Sequence, residues 1–184
     1  MRRIQAALVI LLLLAAASSA FAQYEEDKPS KFGIRVMNFL PLGGKLRDIE
    51  SVWLGPAIDY HQRLDEDGRP VSLVSFGMMS SGDGPERASE VQITRTRLRR
   101  TQFAETRSRY TGYGLGLYRL AHRRSASWAR PAVDEASIKP AIHLIYGQEY
   151  KDAYFAEIRL DMLPKWQNMN WNGIYLCIGT RITL

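Results

Sequence analysis

The last fourteen residues, Trp171-Asn-Gly-Ile-Tyr-Leu-Cys-Ile-Gly-Thr-Arg-Ile-Thr-Leu184, decide the fold. Aliphatic side chains recur at every second position, as in Ile174, Leu176 and Ile178. Because successive side chains of a β-strand point to opposite faces, this stretch predicts one long strand with an aliphatic face and a mixed face. An aliphatic face of this length must be covered by a protein core or by lipid.

The preceding stretch, from Tyr154 to Met162, alternates with a sharper contrast. One face has only apolar residues, whereas the other carries successive charges on Glu157, Arg159 and Asp161. Such a strand is expected where a wall separates two very different environments. The two C-terminal strands therefore predict a barrel or sheet with one polar and one apolar side.

The remainder of the mature chain predicts more strands of the same kind, and no stretch of it has a convincing helical period of 3.6 residues. The eight predicted strands are Lys31–Leu40, Val52–Leu64, Val71–Ser80, Val91–Phe103, Tyr110–Ala121, Ala141–Gln148, Ala153–Leu163 and Trp171–Leu184. The sequence therefore predicts an all-β fold with a single domain.

The connections between these strands alternate in length, beginning and ending with a long one. The longer connections are Pro41–Ser51, Ser81–Glu90, His122–Pro140 and Pro164–Asn170. In an up-and-down sheet, alternate connections lie at the same end. The pattern predicts an up-and-down antiparallel eight-stranded β-barrel with short turns at one end and longer loops at the other, as in transmembrane barrels of bacterial outer membranes.

The N-terminus has the features of a secretory signal peptide. Arg2 and Arg3 precede an apolar run over Ala6–Ala17, and Ser19–Ala22 supplies the small residues of a cleavage site. The apolar run is shorter than the roughly 20 residues that a membrane-spanning helix needs. We therefore divide the chain into a signal peptide (1–22), a polar leader (23–30) and a β-barrel domain (31–184).

With these features the chain resembles the small eight-stranded outer-membrane barrels of the OmpX and OmpA transmembrane type. The resemblance covers Lys31–Leu184; members of the family usually end in an aromatic residue, whereas this chain ends in Leu184. It implies an integral protein of the bacterial outer membrane, whose partners are the membrane lipids and the barrel assembly machinery. We expect a monomer. We also expect no binding of nucleic acid, because the net charge of +6 is mild and spread along the chain.

The interior of an eight-stranded barrel is only wide enough for side chains to fill it, so we expect ion pairs inside. The predicted interior ionic network is Arg35, Asp59, Arg95, Arg97, Arg99, Glu157, Arg159, Asp161 and Arg181. The predicted lipid-facing residues are Ile142, Leu144, Ile158, Leu160, Ile174, Leu176, Ile178 and Ile182. Gly112, Gly114 and Gly116 share the predicted inner face and would make room for large side chains there. The network has more cations than anions, so water or an anion would have to complete it.

The fourth predicted strand does not fit this assignment well. Of its outer-face residues only Leu98 is strongly apolar. That face would carry Gln92, Thr94, Thr96, Leu98, Arg100 and Gln102. A strand of this composition is more typical of a surface in contact with water. The alternative function is therefore a soluble secreted, lipocalin-like barrel that binds a small apolar ligand, with its charges outside.

Aromatic residues favour the membrane interpretation. Trp53, Trp166 and Trp171 lie near strand ends on the side of the longer loops, and Tyr60 and Tyr110 lie near the short turns. Belts of aromatic residues at both interfaces are typical of membrane barrels. We expect these five residues to form such belts.

The sequence gives little support for catalysis. Its single cysteine, Cys177, excludes an internal disulfide framework. His61 and His143 are expected to fill the interior, and no motif for a metal, phosphate or nucleophilic site accompanies them. We predict a non-enzymatic protein without cofactor or metal, with a structural or adhesive role or, at most, the role of a narrow conduit.

Overall fold

Eight antiparallel strands form a closed barrel in chain order, so the predicted fold is confirmed. The computed structural model describes residues 31–67, 69–81, 84–128, 131–151 and 153–182. The strands are β1 Phe32–Pro41, β2 Trp53–Leu64, β3 Pro70–Ser80, β4 Glu86–Ala104, β5 Arg107–Arg124, β6 Val133–Tyr150, β7 Tyr154–Met162 and β8 Gly173–Ile182. The predicted signal peptide and polar leader lie outside the described residues.

The strands are tilted with respect to the barrel axis. When paired residues are followed from strand to strand through β2, β3 and β4, Ile34 of β1 leads to Leu117 of β5. In the other direction, across β8, β7 and β6, it aligns with Arg107, ten residues away on the same strand. This stagger over eight strands corresponds to a tilt of about 40° and fixes the height of each residue along the axis.

Three neighbouring strands are longer than the others. β4, β5 and β6 have 19, 18 and 18 residues, against 9 to 12 for the rest. Their mutual pairing continues to Glu86, Arg124 and Val133, past the last pairs that join them to β3 and β7. Residues 86–88, 119–124 and 133–139, here called the β4–β6 extension, thus project beyond the ring. Much of two predicted loops is therefore strand.

An apolar cluster fills the barrel at the end that has the longer connections. The rings of Phe39 and Tyr175 lie 4.7 Å apart, and those of Trp53 and Trp171 lie 5.9 Å apart. The short helix α1, Gly44–Ile49, adds the buried Leu46. Among the described residues, no helix is both long and apolar enough to cross a bilayer.

This cluster corrects the prediction of interfacial aromatic belts. Trp53 and Trp171 are completely buried, and Tyr110 is 4% exposed inside the barrel near the short turns. Trp166 is partly buried against the cluster. Trp53 alternates in phase with the inward-facing Asp59, so the strand period places it inside. Of the five residues, Tyr60 lies on the outer face, where 45% of it is exposed.

Candidate functional site

The centre of the barrel contains a buried cluster built around Arg35. Its Nε and Nη2 donate to Oδ2 of Asp59 at 2.9 and 2.5 Å, and its Nη1 donates to Oε1 of Glu157 at 2.6 Å. The other carboxylate oxygens accept hydrogen bonds from Ser75 at 2.6 Å and Tyr110 at 3.1 Å. Both carboxylates are therefore paired and hydrogen-bonded, which the burial of charge requires.

A second cluster lies nearer to the longer connections and is built around Arg159. Nε of Arg159 lies 2.8 Å from Oδ1 of Asp161, and its Nη2 donates to Gln92 at 2.5 Å. The hydroxyl of Tyr118 donates to Asp161, and the guanidinium lies 4.2 Å from the ring centroid of Tyr175. This cluster closes the lumen between the Arg35 cluster and the aromatic residues above.

A third cluster lies near the short turns and centres on Glu149. Its carboxylate pairs with Arg181 and lies 2.8 Å from Nε of Arg100, and it accepts a hydrogen bond from Ser108 at 3.1 Å. Glu149 was not among the residues predicted for the interior, although it alternates in phase with the inward-facing His143 on β6. Arg100, which was predicted to lie on the outer face, also points inward, since only 8% of its side chain is exposed.

The structure brings six of the nine residues predicted for the ionic network into these clusters, and it places the other three outside. The predicted interior positions of Arg95, Arg97 and Arg99 are wrong, since all three are exposed on the outer face of β4. The inward residues are instead Gln92, Thr94, Thr96 and Leu98, which are buried. Here Arg95, Arg97 and Arg99 are called the arginine ladder.

Strand register and packing explain this reversal. Ile93 of β4 aligns with Phe76 of β3 and Leu117 of β5, and about half of each of the three is exposed on the outer face. Little space is left over the inner face of β4, because His143 of β6 fills the room above the glycines of β5 and contacts Thr96 of β4. A Cβ atom added to Gly114 would lie 2.4 Å from Nε2 of His143 and 2.1 Å from the carbonyl oxygen of Arg95. Only small or neutral side chains of β4 fit against such a surface.

All eight residues that were predicted to face lipid lie on the outer face of the barrel, where each is partly or largely exposed. They belong to a ring of outward side chains, here called the apolar belt. It includes Leu54, Ile58, Phe76, Met78, Ile93, Leu115, Leu117, Ile142, Leu144, Ile158, Leu176 and Ile178, each 41–67% exposed. A continuous apolar surface of this size is unusual for a protein in water.

The described residues do not assemble a recognisable catalytic or metal centre. Among them, no three His, Cys, Asp or Glu side chains converge in a way that could hold a metal ion. His143 accepts or donates a 2.8 Å hydrogen bond with Thr96 inside the barrel. His61 is buried near the short turns. Cys177 is buried and forms no disulfide.

Comparison with known proteins identifies the class of fold. No protein-family model and no curated protein sequence matches the chain. The barrel is similar to the crystal structure of Neisserial surface protein A, with a TM-score of 0.61 and 12% identity over 84% of this chain and 98% of that one. It is also similar to the N-terminal β-barrel domain of Pseudomonas aeruginosa OprF, with a TM-score of 0.52 and 13% identity over 80% and 96% of the two chains.

These similarities concern the fold, since the identities are low. The chain has the fold of the small eight-stranded outer-membrane barrels, as its sequence pattern indicates.

Proposed function

We propose that this chain is a non-enzymatic integral barrel of the outer membrane, which holds its longer connections and the β4–β6 extension at the cell surface for a structural or adhesive role. One observation carries the proposal: the charged side chains are buried in the lumen, whereas the apolar belt is exposed around the ring. Lipid is the medium in which this inverted arrangement is stable.

The soluble, lipocalin-like alternative is less compatible with the same observation. A barrel that stores a small apolar ligand needs an apolar cavity and a polar exterior. Here the lumen is occupied by the Arg35, Arg159 and Glu149 clusters, and the exterior exposes 67% of Leu115 and 55% of Ile58. In water this exterior would favour aggregation.

The role of a conduit is also less well supported. The three charged clusters follow one another along the lumen, and the aromatic cluster around Trp53 and Trp171 closes the end with the longer connections. Each guanidinium that moved aside would leave a buried carboxylate without its partner, which is costly. We therefore expect no steady ion conductance.

The β4–β6 extension is the surface that we associate with adhesion. Arg123 and Asp134 form a 3.0 Å ion pair there, and 71% of each side chain is exposed. Residues 133–139 pair with β5 but not with β7, so β6 has an open edge at this end. Open strand edges and exposed charges are suited to contact with another macromolecule.

We also propose that the barrel is inserted by the barrel assembly machinery, contacts outer-membrane lipids and acts as a monomer. Its closed ring supports the last point, because no strand edge is left unpaired within the belt. Cross-linking of intact cells followed by denaturing electrophoresis checks this, and a dominant dimer would contradict it.

Cell fractionation tests the membrane location. We expect the protein in the outer-membrane fraction, released only by detergent, and we expect protease added to intact cells to cut near residues 42–52 or 125–132. Purified protein in planar bilayers should give no steady current. Recovery in the soluble fraction, or cleavage of intact cells at the 65–69 turn, would contradict the proposal.

Removal of the β4–β6 extension tests the surface role. Because Arg119 aligns with Ile138, residues 120–137 can be replaced by an Asn-Gly turn that joins the two strands. We expect a folded barrel at normal abundance and a clear loss of attachment to cells or surfaces. The control replaces Glu105-Thr106, at the opposite end, with Asn-Gly. Unchanged attachment of the shortened variant would exclude the adhesive role.

A further inference from the structure

The arginine ladder is exposed on the outer wall and starts at the edge of the apolar belt, where membrane barrels rarely carry charge. Its members stand at successive outward positions of β4, about 6.6 Å apart at a rise of about 3.3 Å per residue. Within the part of the chain that the structure describes, no side-chain hydrogen bond or ion pair joins them to another residue. By contrast, Arg107 and Arg109 lie over the rings of Tyr150 and Phe103, at 6.0 and 5.7 Å.

The ladder begins where the outer face of β3, β4 and β5 changes from apolar to polar. Arg95 stands between Val74 and Leu115, both on the outer face. Arg97, nearer to the short turns, stands between Ser72 and Tyr113. With a tilt of about 40°, Arg95 lies at about the height of the belt residues on the opposite side of the barrel. An arginine at that depth needs an anionic partner or water.

A groove of about 1340 Å³ runs along the outer wall from Arg95 toward the short turn that joins β2 and β3. The pairing of β2 with β3 is irregular on either side of Arg63, next to this turn. The groove has an apolar part, a cationic part and an acidic end. The apolar part is formed by Tyr113 and Leu115. The cationic part is formed by Arg63, Arg95 and Arg97, and the acidic end by Asp65, Glu66 and Asp67.

The order of these parts matches that of one amphiphile. A phospholipid with an ethanolamine headgroup has acyl chains, then a phosphate, then a primary ammonium group. We propose that the groove binds such a phospholipid from the leaflet at the short-turn end, with its phosphate between Arg95 and Arg97. This inference rests on the proposed membrane location. Guanidinium groups bind phosphate by charge-assisted hydrogen bonds, which also satisfies the two arginines within the belt.

The acidic end selects among lipid headgroups. Oδ1 of Asp65 already accepts the backbone N–H groups of Asp67 and Arg69, at 3.1 and 2.8 Å. The carboxylates of Glu66 and Asp67 are exposed and line the groove, and Oδ2 of Asp67 accepts a weak hydrogen bond from Nη1 of Arg69 at 3.4 Å. An ammonium group can donate hydrogen bonds to them. A choline headgroup has no N–H to donate, and the glycerol headgroup of an anionic lipid has no positive charge to offer.

Above the phosphate position, the acyl chain has a surface to lie on. A second, shallow and largely apolar depression on the outer wall shares Arg95 and Leu115 with the groove and continues over Ile93, Leu117 and Ile142. The chain would thus run from the ladder toward the middle of the belt. This direction agrees with a lipid of the leaflet nearer to the short turns.

Native mass spectrometry of the folded barrel tests the site. The protein is exposed in detergent micelles to equal amounts of phosphatidylethanolamine, phosphatidylglycerol and phosphatidylcholine, and the bound lipid is counted. We expect the ethanolamine lipid to be the main adduct. R95Q/R97Q should lower it at least about tenfold, because two charge-assisted contacts are lost. R107Q/R109Q, which removes the same charge at the same end outside the groove, should leave it unchanged.

A third variant tests the acidic end. E66Q/D67N should shift the preference from the ethanolamine lipid to phosphatidylglycerol, because the carboxylates that hold the ammonium group are neutralised. Equal retention of the three lipids by the parent, or equal losses in R95Q/R97Q and R107Q/R109Q, would overturn the inference. Folding and membrane extraction of every variant are measured first, so failure of the membrane location is recognised separately.

Discussion

β7 and β4 both alternate charged and uncharged residues, but they turn opposite faces toward the lumen. In β7 the charges of Glu157, Arg159 and Asp161 point inward and are paired within the barrel. In β4 the arginine ladder points outward, and Thr94 and Thr96 fill the inner face. Alternation therefore divides a strand into two faces without determining which of them is inside.

The two strands turn opposite faces inward because they differ in whether their charges find partners of opposite sign in the lumen. β7 carries both signs of charge, so its carboxylates pair with Arg159 and with Arg35 from across the lumen. The ladder carries one sign only. Turned inward, it would add three cations to an interior in which four of the five described buried carboxylates already hold Arg35, Arg159, Arg100 and Arg181. The fifth, Glu90, accepts a hydrogen bond from the hydroxyl of Tyr175 at 2.7 Å. The outward position also removes the excess of cations in the network predicted from sequence.

Removal of one carboxylate from β7 should have the largest effect. Glu157→Ala leaves Nη1 of Arg35 and the hydroxyl of Tyr110 without their buried acceptor, and we expect it to lower the free energy of unfolding by about 3–5 kcal/mol. Glu157→Gln keeps the shape and one acceptor and should cost less. Urea unfolding of the folded protein in detergent measures both, with the exposed Glu105→Ala as control. A loss below about 1 kcal/mol would place this face of β7 in water.

A charge placed on the apolar belt should be the next most damaging change. Ile178 is 47% exposed on the outer face, and in the proposed membrane location Ile178→Arg adds an unpaired charge to lipid and should cost about 2–4 kcal/mol. Its neighbour Cys177 is buried inside the barrel, beside Glu157 of β7 and in contact with the apolar cluster, and Cys177→Ser should cost much less. Folded yield and unfolding in phosphatidylcholine vesicles compare the two variants. Equal tolerance would argue against lipid around β8.

Replacement of an arginine of the ladder by leucine should instead raise the free energy of unfolding, and the gain should decrease from Arg95 to Arg99. In phosphatidylcholine vesicles, which lack the ethanolamine headgroup, Arg95→Leu should stabilise the barrel by up to about 2–4 kcal/mol, because Arg95 is the deepest member. Arg97→Leu should gain less, and Arg99→Leu about 0–1 kcal/mol near the interface.

Replacement of part of the phosphatidylcholine by phosphatidylethanolamine should reduce the gain for Arg95→Leu. Unfolding free energies in the two kinds of vesicle provide the measurement. The same gain for all three variants in both would show that depth and headgroup have no influence on the ladder.

The glycine surface of β5 tests why β4 turns its small residues inward. Gly114→Ala would bring a methyl group against His143 and the backbone of Arg95, and we expect a loss of about 1–3 kcal/mol from overpacking. The control is Gly44→Ala, where an added Cβ has no neighbour within 4 Å. Denaturation of both variants in one detergent decides the matter. Similar stability of the two would mean that the contact between β4 and β5 is loose.

Some inner-face residues could have been found from the sequence by applying the strand period more strictly. Trp53 is in phase with Asp59 on β2, and Glu149 is in phase with His143 on β6, so both belong to the inner face once either strand is anchored. The interfacial role predicted for Trp53 and the omission of Glu149 came from position and residue type, not from the period. On β4 the period offered two solutions, and the assumption that charges lie inside selected the wrong one.

The sequence by itself determined the number and order of the strands, the up-and-down connections and the faces of β7 and β8. These follow from a period of two residues and from turn positions, which are local properties of the chain. Only the tertiary structure decided the phase of β4, the inner position of the tryptophans and the extent of the β4–β6 extension. The reason is that register is fixed by pairing between strands. A shift of one residue reverses every side chain, and only the neighbouring strands and the supply of partner charges across the lumen select between the two arrangements.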